Sequence, residues 1–251
     1  MNPPAQAPIT ETPEIRDRFH DEDERRVKTR AMFDRSADLY DKAEWLTGFG
    51  SGPWYRRRVL YENGLRPGMK VLDVATGTGL VAREALKLIG DKGHLTGLDP
   101  SPGMLAEAKR NYGIETVEAR AESIPLPDAQ FDYLSMGYAL RHVADLEAAF
   151  REFHRVLKPG GRACILEIMK PRNFLVRMML RIHLKLVVPV IVRLLWHRRD
   201  AGELWIYYWD TIDACVPPET IVKELTAAGF AKVTSRLTFG MFREYLADKA
   251  A

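Results

Sequence analysis

The run Val71-Leu72-Asp73-Val74-Ala75-Thr76-Gly77-Thr78-Gly79 constrains this chain more than any other stretch. An apolar strand feeds without a spacer into a turn with two glycines, and a helix-period segment follows from Leu80. Gly77 and Gly79 carry no Cβ, so backbone amides can approach a ligand closely at the N-terminus of that helix. A dinucleotide-binding turn has the form G-x-G-x-x-G, with alanine tolerated last. Ala82 stands at that position, so glycine spacing alone does not choose the ligand.

The acids around the turn separate the readings. Asp73 ends the first strand, where a pyrophosphate gains nothing from extra negative charge. A sulfonium ligand is cationic, and a carboxylate there favours the ammonium of its methionine part, directly or through water. Asp99 ends the second strand, where a carboxylate can take both ribose hydroxyls of a nucleoside. The alternative is structural: Asp73 orders the turn and Asp99 caps the next helix.

Downstream, apolar β-branched runs alternate with helix-period segments, the signature of βαβ units and a mainly parallel sheet. The expected strands cover 70–75, 94–98, 114–118, 131–136, 162–168, 231–237 and 239–246. The expected helices cover 80–89, 102–111, 145–157 and 217–228, with Lys158-Pro159-Gly160-Gly161 ending the third of these. The chain thus predicts an α/β, Rossmann-like fold: a seven-stranded, mostly parallel sheet with helices on both faces and a helical insertion after strand five. Residues 25–251 form one domain, ample for a single core, and the charged, proline-bearing residues 1–24 read as a disordered tail. A net charge of +3 gives no argument for nucleic acid. The two cysteines, Cys164 and Cys215, suit neither a disulfide framework nor a zinc site, and no secretion or import signal precedes the domain, so a cytoplasmic setting is expected.

Several segments occur in a fixed order: Phe33-Asp34-Arg35-Ser36-Ala37-Asp38-Leu39-Tyr40-Asp41, the Asp73–Gly79 turn, Leu98-Asp99-Pro100-Ser101-Pro102-Gly103-Met104-Leu105, and Ala121-Glu122-Ser123-Ile124-Pro125-Leu126-Pro127-Asp128. Phe131-Asp132, Leu140-Arg141-His142-Val143, Arg155-Val156-Leu157-Lys158-Pro159-Gly160-Gly161 and Glu167 follow. By these motifs the chain resembles the class I S-adenosylmethionine-dependent methyltransferases, and among them the ubiquinone/menaquinone-biosynthesis C-methyltransferases. The resemblance implies an S-adenosylmethionine site lined by Thr78, Asp99, Arg120, Ala121 and Gly137, with Ala75, Gly77 and Gly79 of the turn, Pro100 and Glu122 beside them. It places Tyr40 over the methionine end and Met104 against the adenine, where helix packing explains Met104 equally well.

Ring methylation needs an electron-rich acceptor, so a base or phenolate stabiliser is wanted beside the methyl group. His142 is the candidate base and Arg141 the candidate oxyanion partner, both just after strand four. The family's Arg-Asn-Val is here Arg141-His142-Val143, and its histidine after Gly50 is replaced by Gly52-Pro53-Trp54. These departures leave the acceptor open among a quinone precursor, another phenol, a polyketide-like aromatic and an amine-bearing phospholipid. Outside this class stand an NAD-linked oxidoreductase, disfavoured by Asp73, and a cofactor-binding scaffold or regulatory subunit without turnover.

Residues 173–199 contain no acid, and Arg177, Arg181 and Lys185 recur every four residues. The longest uncharged run is far too short to span a bilayer, so the stretch suits peripheral association at the inner face of a membrane, with its cations toward anionic head groups. A lid over the acceptor or a homodimer contact fits equally well. Pro189 is expected to kink or break the helix. The aromatic cluster Trp205, Tyr207, Tyr208 and Trp209 could wall a tunnel for a small hydrophobic substrate, or simply pack in the core.

Overall fold

Strand β1 (Val71–Val74) is buried at every residue, as a central parallel strand covered on both faces must be. The computed structural model describes residues 22–48, 50–197 and 201–251. Its sheet has seven strands in the order β3-β2-β1-β4-β5-β7-β6, where β2 is Leu95–Asp99, β3 Glu115–Glu118, β4 Phe131–Gly137, β5 Leu157–Ile168, β6 Lys232–Thr238 and β7 Phe242–Asp248. The first five run parallel, and β7 pairs antiparallel with both β5 and β6. This is the class I methyltransferase fold expected from the sequence.

Alternation along the central strands sends side chains to two cores. Leu72, Val74, Leu134, Met136, Ala163 and Ile165 face one, packed by helix α5 (Leu146–Val156) and helix α9 (Pro218–Ala227). Val71, Tyr133, Cys164 and Leu166 face the other, covered by helices α2 (Gly52–Glu62) and α3 (Leu80–Ile89). Within α5, Asp145 accepts a hydrogen bond from the Ala148 N–H at 3.0 Å, and Leu146, Ala149, Phe150, Phe153 and Val156 are buried on one stripe. Full burial of Phe150 and of Phe153 stabilises the fold by roughly 1.5–3 kcal/mol each. Helix α4 (Pro102–Tyr112) starts as expected, with Pro102 in its first turn and the Ser101 hydroxyl accepting from the Met104 N–H at 3.1 Å.

Three local expectations change. Lys158–Gly161 does not separate helix from strand: β5 starts at Leu157 itself, and the pairing with β4 slips there from Phe131↔Leu157 to Tyr133↔Arg162. The Gly160 N–H and the Gly161 carbonyl bond to Ala250 and Lys249, so the chain's last residues hold these four in the sheet. At the other end, helix α1 (Glu22–Thr47) takes in Glu22–Glu24, which the sequence places in a tail; the remainder of that tail lies outside the described residues. Pro189 does not break the insertion. One π-helical turn, His183–Val187, joins helix α6 (Phe174–Ile182) to helix α7 (Val188–Trp196), and the wide turn accommodates the proline ring that would meet the Lys185 carbonyl of a regular helix.

The insertion also turns its cations the other way. Arg177 pairs with Asp213 at 2.8 Å and Lys185 with Asp210 at 2.7 Å, both acids lying on helix α8 (Ala201–Ala214). Lys170 joins Asp213 at 2.9 Å. Only Arg181 of the four-residue repeat is exposed, because acids on α8 beneath the insertion draw the other two inward. Leu184, Val188 and Val192 form the inner row, against Leu39 and Ala43 of α1 and Trp205, Trp209 and Ile212 of α8. No helix among the described residues is long and apolar enough to cross a membrane.

Candidate active site

The chain order in the sheet reverses between β1 and β4, and a crevice opens at the carboxyl ends of these strands, where open α/β sheets bind ligands. It is a cavity of about 440 Å³, within the usual range for small-molecule sites of roughly 300–1,000 Å³. Backbone strain marks the same spot: Ala75 (φ 53°) after β1 and Tyr138 (φ 60°) after β4 are left-handed, and both line the cavity. Gly77 (φ 56°) lines it too, and a Cβ there would meet nothing within 4 Å, so the turn's bare backbone faces open space. Gly79 (φ 92°) answers to packing instead, since a Cβ would stand 2.7 Å from the Tyr112 ring.

Asp99 and Asp73 part company here. Asp99 lines the cavity, with Oδ2 accepting from the Gly77 N–H at 2.9 Å and Oδ1 from the Ser101 N–H at 2.8 Å. Burial pushes its carboxyl up to about 6, against the pull of these two amides. Asp73 is fully buried and does not line the cavity. Its oxygens accept from Thr76 Oγ1 at 2.7 Å and Ser135 Oγ at 2.6 Å, the latter from its register partner on β4. Burial raises its carboxyl to about 6 as well. Direct contact between Asp73 and a ligand ammonium is therefore replaced by the structural alternative, in which Asp73 ties the turn to the neighbouring strand.

Helix α1 forms the lid, held by the motif Phe33–Asp41. Asp34 Oδ1 accepts from Ser101 Oγ at 2.5 Å and from the Gly103 N–H at 3.0 Å. Thr78 Oγ1 donates to Asp41, the Tyr40 and Tyr208 hydroxyls share a short hydrogen bond, and Phe33 meets the His142 ring edge-on at 5.6 Å between centroids. Positions 33, 34, 40 and 41 fall on one helical face, so a contiguous motif delivers four contacts to residues lining one cavity.

Sequence reasoning missed Arg56. It lines the cavity yet is only 5% exposed, with Nη2 donating to Glu44 Oε1 at 2.8 Å, whereas Nε and Nη1 are buried without a hydrogen-bond partner. Of the three consecutive arginines, Arg57 and Arg58 are exposed; the helical period puts Arg56 on the buried face with Tyr55, Val59 and Leu60. That periodicity was the available signal. A Cβ on Gly52 would stand 2.4 Å from Glu44 Oε1 and 2.5 Å from Arg56 Nη1, so this pair fills the space a side chain at position 52 would need.

Arg141 and His142 go to different places. Arg141 is fully buried and does not line the cavity. It pairs with Glu167 at 2.5 Å, donates to Thr211 Oγ1 at 3.1 Å and to the Tyr138 carbonyl at 2.6 Å, and lies 4.6 Å from the Tyr208 ring centroid. Its charge is already met by Glu167, which leaves it poorly placed to hold a phenolate. His142 does line the cavity. Its ring stacks on Tyr207 at 5.5 Å, Nδ1 lies 3.4 Å from the Tyr207 hydroxyl, and Nε2 is buried without a partner. Burial, reinforced by the Arg141 and Arg25 charges, holds this imidazole well below the ordinary histidine range, so it is neutral at physiological pH.

The remaining expected residues, Tyr40, Ala75, Gly77, Thr78, Pro100, Met104, Arg120, Ala121, Glu122 and Gly137, line the cavity; Gly79 lies behind it. Glu122 also accepts from the Ala144 N–H at 2.9 Å and pairs with Arg120, which steadies the loop after β4. The aromatic cluster divides: Tyr207 and Tyr208 face the cavity, and Trp205 and Trp209 join the core between α1 and the insertion.

The cavity fits an adenosyl amino acid by its polar groups, with an acceptor carboxylate at the β2 tip, bare turn backbone, and a buried guanidinium with two unused donors. Comparison with known proteins agrees. The chain is 34% identical over 209 residues to the ubiquinone/menaquinone biosynthesis C-methyltransferase UbiE of Shewanella sp. (strain W3-18-1), covering 80% of this chain and 82% of that one. The Shewanella oneidensis protein of the same name matches equally. Among solved structures, a SAM-dependent methyltransferase from Aquifex aeolicus aligns with a TM-score of 0.55 at 22% identity, covering 77% of this chain and 88% of that one. Phosphoethanolamine N-methyltransferase 2 of Haemonchus contortus, in complex with phosphomonomethylethanolamine and S-adenosylhomocysteine, aligns with a TM-score of 0.63 at 17% identity, covering 89% of this chain and 60% of that one. At these identities the two structures speak for the fold alone. The family model for ubiE/COQ5 methyltransferases matches residues 20–249, and this S-adenosylmethionine-dependent methyltransferase belongs to that family.

Proposed function

We propose that the protein C-methylates a hydroxylated aromatic ring of a quinone precursor. The observation that carries this reading is the aromatic chamber beside Gly137, walled by Phe33, Tyr40, His142, Tyr207 and Tyr208, with one buried imidazole nitrogen unpartnered. The Shewanella relatives, named as C-methyltransferases of ubiquinone and menaquinone biosynthesis, support the same acceptor class. When bound, S-adenosylmethionine supplies an electrophilic methyl group.

The chain's residues do the rest by positioning and by handling one proton. Asp99 receives the ribose hydroxyls, and Arg56 receives the carboxylate of the methionine part through a guanidinium donor that Glu44 leaves unused. His142 Nε2 would take the proton of the acceptor's hydroxyl, and the released electron pair would enrich the ring carbon that accepts the methyl group, with S-adenosylhomocysteine as the leaving group. The ring carbon's own proton would pass to water as aromaticity returns. A neutral imidazole suits that task. Arg141 is a positioning residue: anchored by Glu167, it fixes Tyr208, which in turn holds Tyr40 across the chamber.

The test is incubation of the protein with methyl-labelled cofactor and a chemically reduced, prenylated hydroquinone lacking one ring methyl, followed by mass spectrometry and NMR of the product. Label on a ring carbon is expected. Label on oxygen only, or transfer solely to a phosphoethanolamine-type amine, overturns the acceptor assignment; calorimetry with S-adenosylhomocysteine tests the cofactor site separately.

A further inference from the structure

We propose that the outward face of the α6–α7 insertion docks the protein on an anionic lipid surface. Two rows of side chains distinguish this segment. The inner row, Leu184, Val188 and Val192, is buried against α1 and α8. The outer surface is apolar too: Phe174 is 72% exposed, Met179 68% and Leu194 68%, with Leu175, Leu186 and Leu195 exposed beside them. A water-facing helix carries polar residues there. Two of the segment's cations lean inward instead, Arg177 to Asp213 and Lys185 to Asp210.

Charge selects the occupant. Arg172, Arg181 and Arg193 are exposed around the apolar face, and no acidic residue occurs between Ile168 and Arg199. A two-fold dimer through this face would set the same patch against itself, cation facing cation, with no carboxylate of the segment to offset it. A bilayer with anionic head groups satisfies both features at once: the apolar side chains enter the head-group boundary and the arginines meet phosphates. The same helices wall a narrow cleft, lined by Leu39, Val192 and Leu204, that shares Tyr40 with the main cavity. Docking this face therefore brings the chamber's α1–α8 side toward the lipid. The inference is independent of which ring the enzyme methylates.

The full chain is tested by flotation with vesicles of phosphatidylcholine alone and of phosphatidylcholine mixed with phosphatidylglycerol. Binding to the anionic vesicles is expected, weakening as salt is raised. Met179→Glu with Leu194→Glu, and separately Arg181→Glu with Arg193→Glu, are each expected to lower the partition coefficient about tenfold or more. S-adenosylhomocysteine affinity and melting temperature serve as the controls for folding and for the cofactor site, and both stay at the parent values in these surface variants. No flotation of the parent protein with anionic vesicles at low salt overturns the proposal, as does unchanged flotation of both variants. A dimer in light scattering that the Met179→Glu, Leu194→Glu variant dissociates assigns the face to a second copy and overturns it as well.

Discussion

Replacing Glu167 with glutamine removes the counter-charge from a guanidinium that has no access to solvent. Both side chains are 0% exposed and 2.5 Å apart, and Glu167 also accepts from the backbone N–H of Arg141 and of Ile168. Breaking a buried pair from one side costs about 3–5 kcal/mol, because the surviving charge stays desolvated without compensation. Against a total stability of roughly 5–15 kcal/mol, and at ~2–4 °C per kcal/mol for a domain of this size, the melting temperature should fall by roughly 6–20 °C. Arg141→Met should cost a similar amount by stranding Glu167. The double variant Arg141→Met, Glu167→Met removes both charges, so its loss should be far below the sum of the two, with a coupling of about 2 kcal/mol or more. Urea denaturation followed by circular dichroism gives all three values. Single losses under about 1 kcal/mol, or a double loss equal to the sum, would refute the buried-pair reading. Turnover adds a second arm: the double variant should stay slow, since Tyr208 has lost the cation against its ring. Recovery of stability together with parent-level turnover would defeat the positioning role.

Arg56→Met should weaken S-adenosylhomocysteine roughly 10–100-fold, the worth of hydrogen bonds to a charged group, and leave methylthioadenosine, which lacks the carboxylate, unchanged; equal losses for both ligands in calorimetry would contradict the carboxylate assignment. Cofactor affinity should fall as pH drops below about 6, because the buried Asp99 carboxyl protonates there and loses an acceptor; binding favours the ionised form, so it releases a proton in that acid range and none well above it. Calorimetry in buffers of differing ionisation enthalpy reads both effects, and a flat profile from the acid side to neutrality would exclude Asp99 as the ribose acceptor. His142→Ala should cut turnover about tenfold or more at unchanged cofactor affinity. With the parent protein and saturating cofactor, kcat should show no acid limb near the ordinary histidine value of 6.5, since burial holds His142 neutral below it; a limb at that value would contradict the depressed imidazole.

Much of this molecule is written in short-range signals. Helix α3 runs between Gly79 and Gly90, both in the left-handed conformation, and α4 and α5 begin at Ser101 and Asp145, whose side chains each cap the backbone N–H three positions on. Period-two alternation in β1, β4 and β5 sorts their side chains between the two cores before any partner strand is known. The glycine turn, Asp99 and most of the cofactor lining follow, because that site is built where single strands become loops, and each residue's place is set by its immediate neighbours.

Tertiary structure decided wherever a charge had to choose a partner. Asp73 and Asp99 look alike in sequence, but Ser135 on the adjoining strand claims one and the cavity keeps the other. Arg141 and His142 are consecutive, but Glu167, 26 positions away, draws the arginine out of the site and leaves the histidine in it. Arg177 and Lys185 of the insertion lean inward because Asp213 and Asp210 wait on α8 beneath them, and Arg181, with no such acid below it among the described residues, stays exposed. Burying an ionised group is costly unless an opposite charge meets it there, and such partners are separated by stretches of chain over which no helical or strand periodicity carries information.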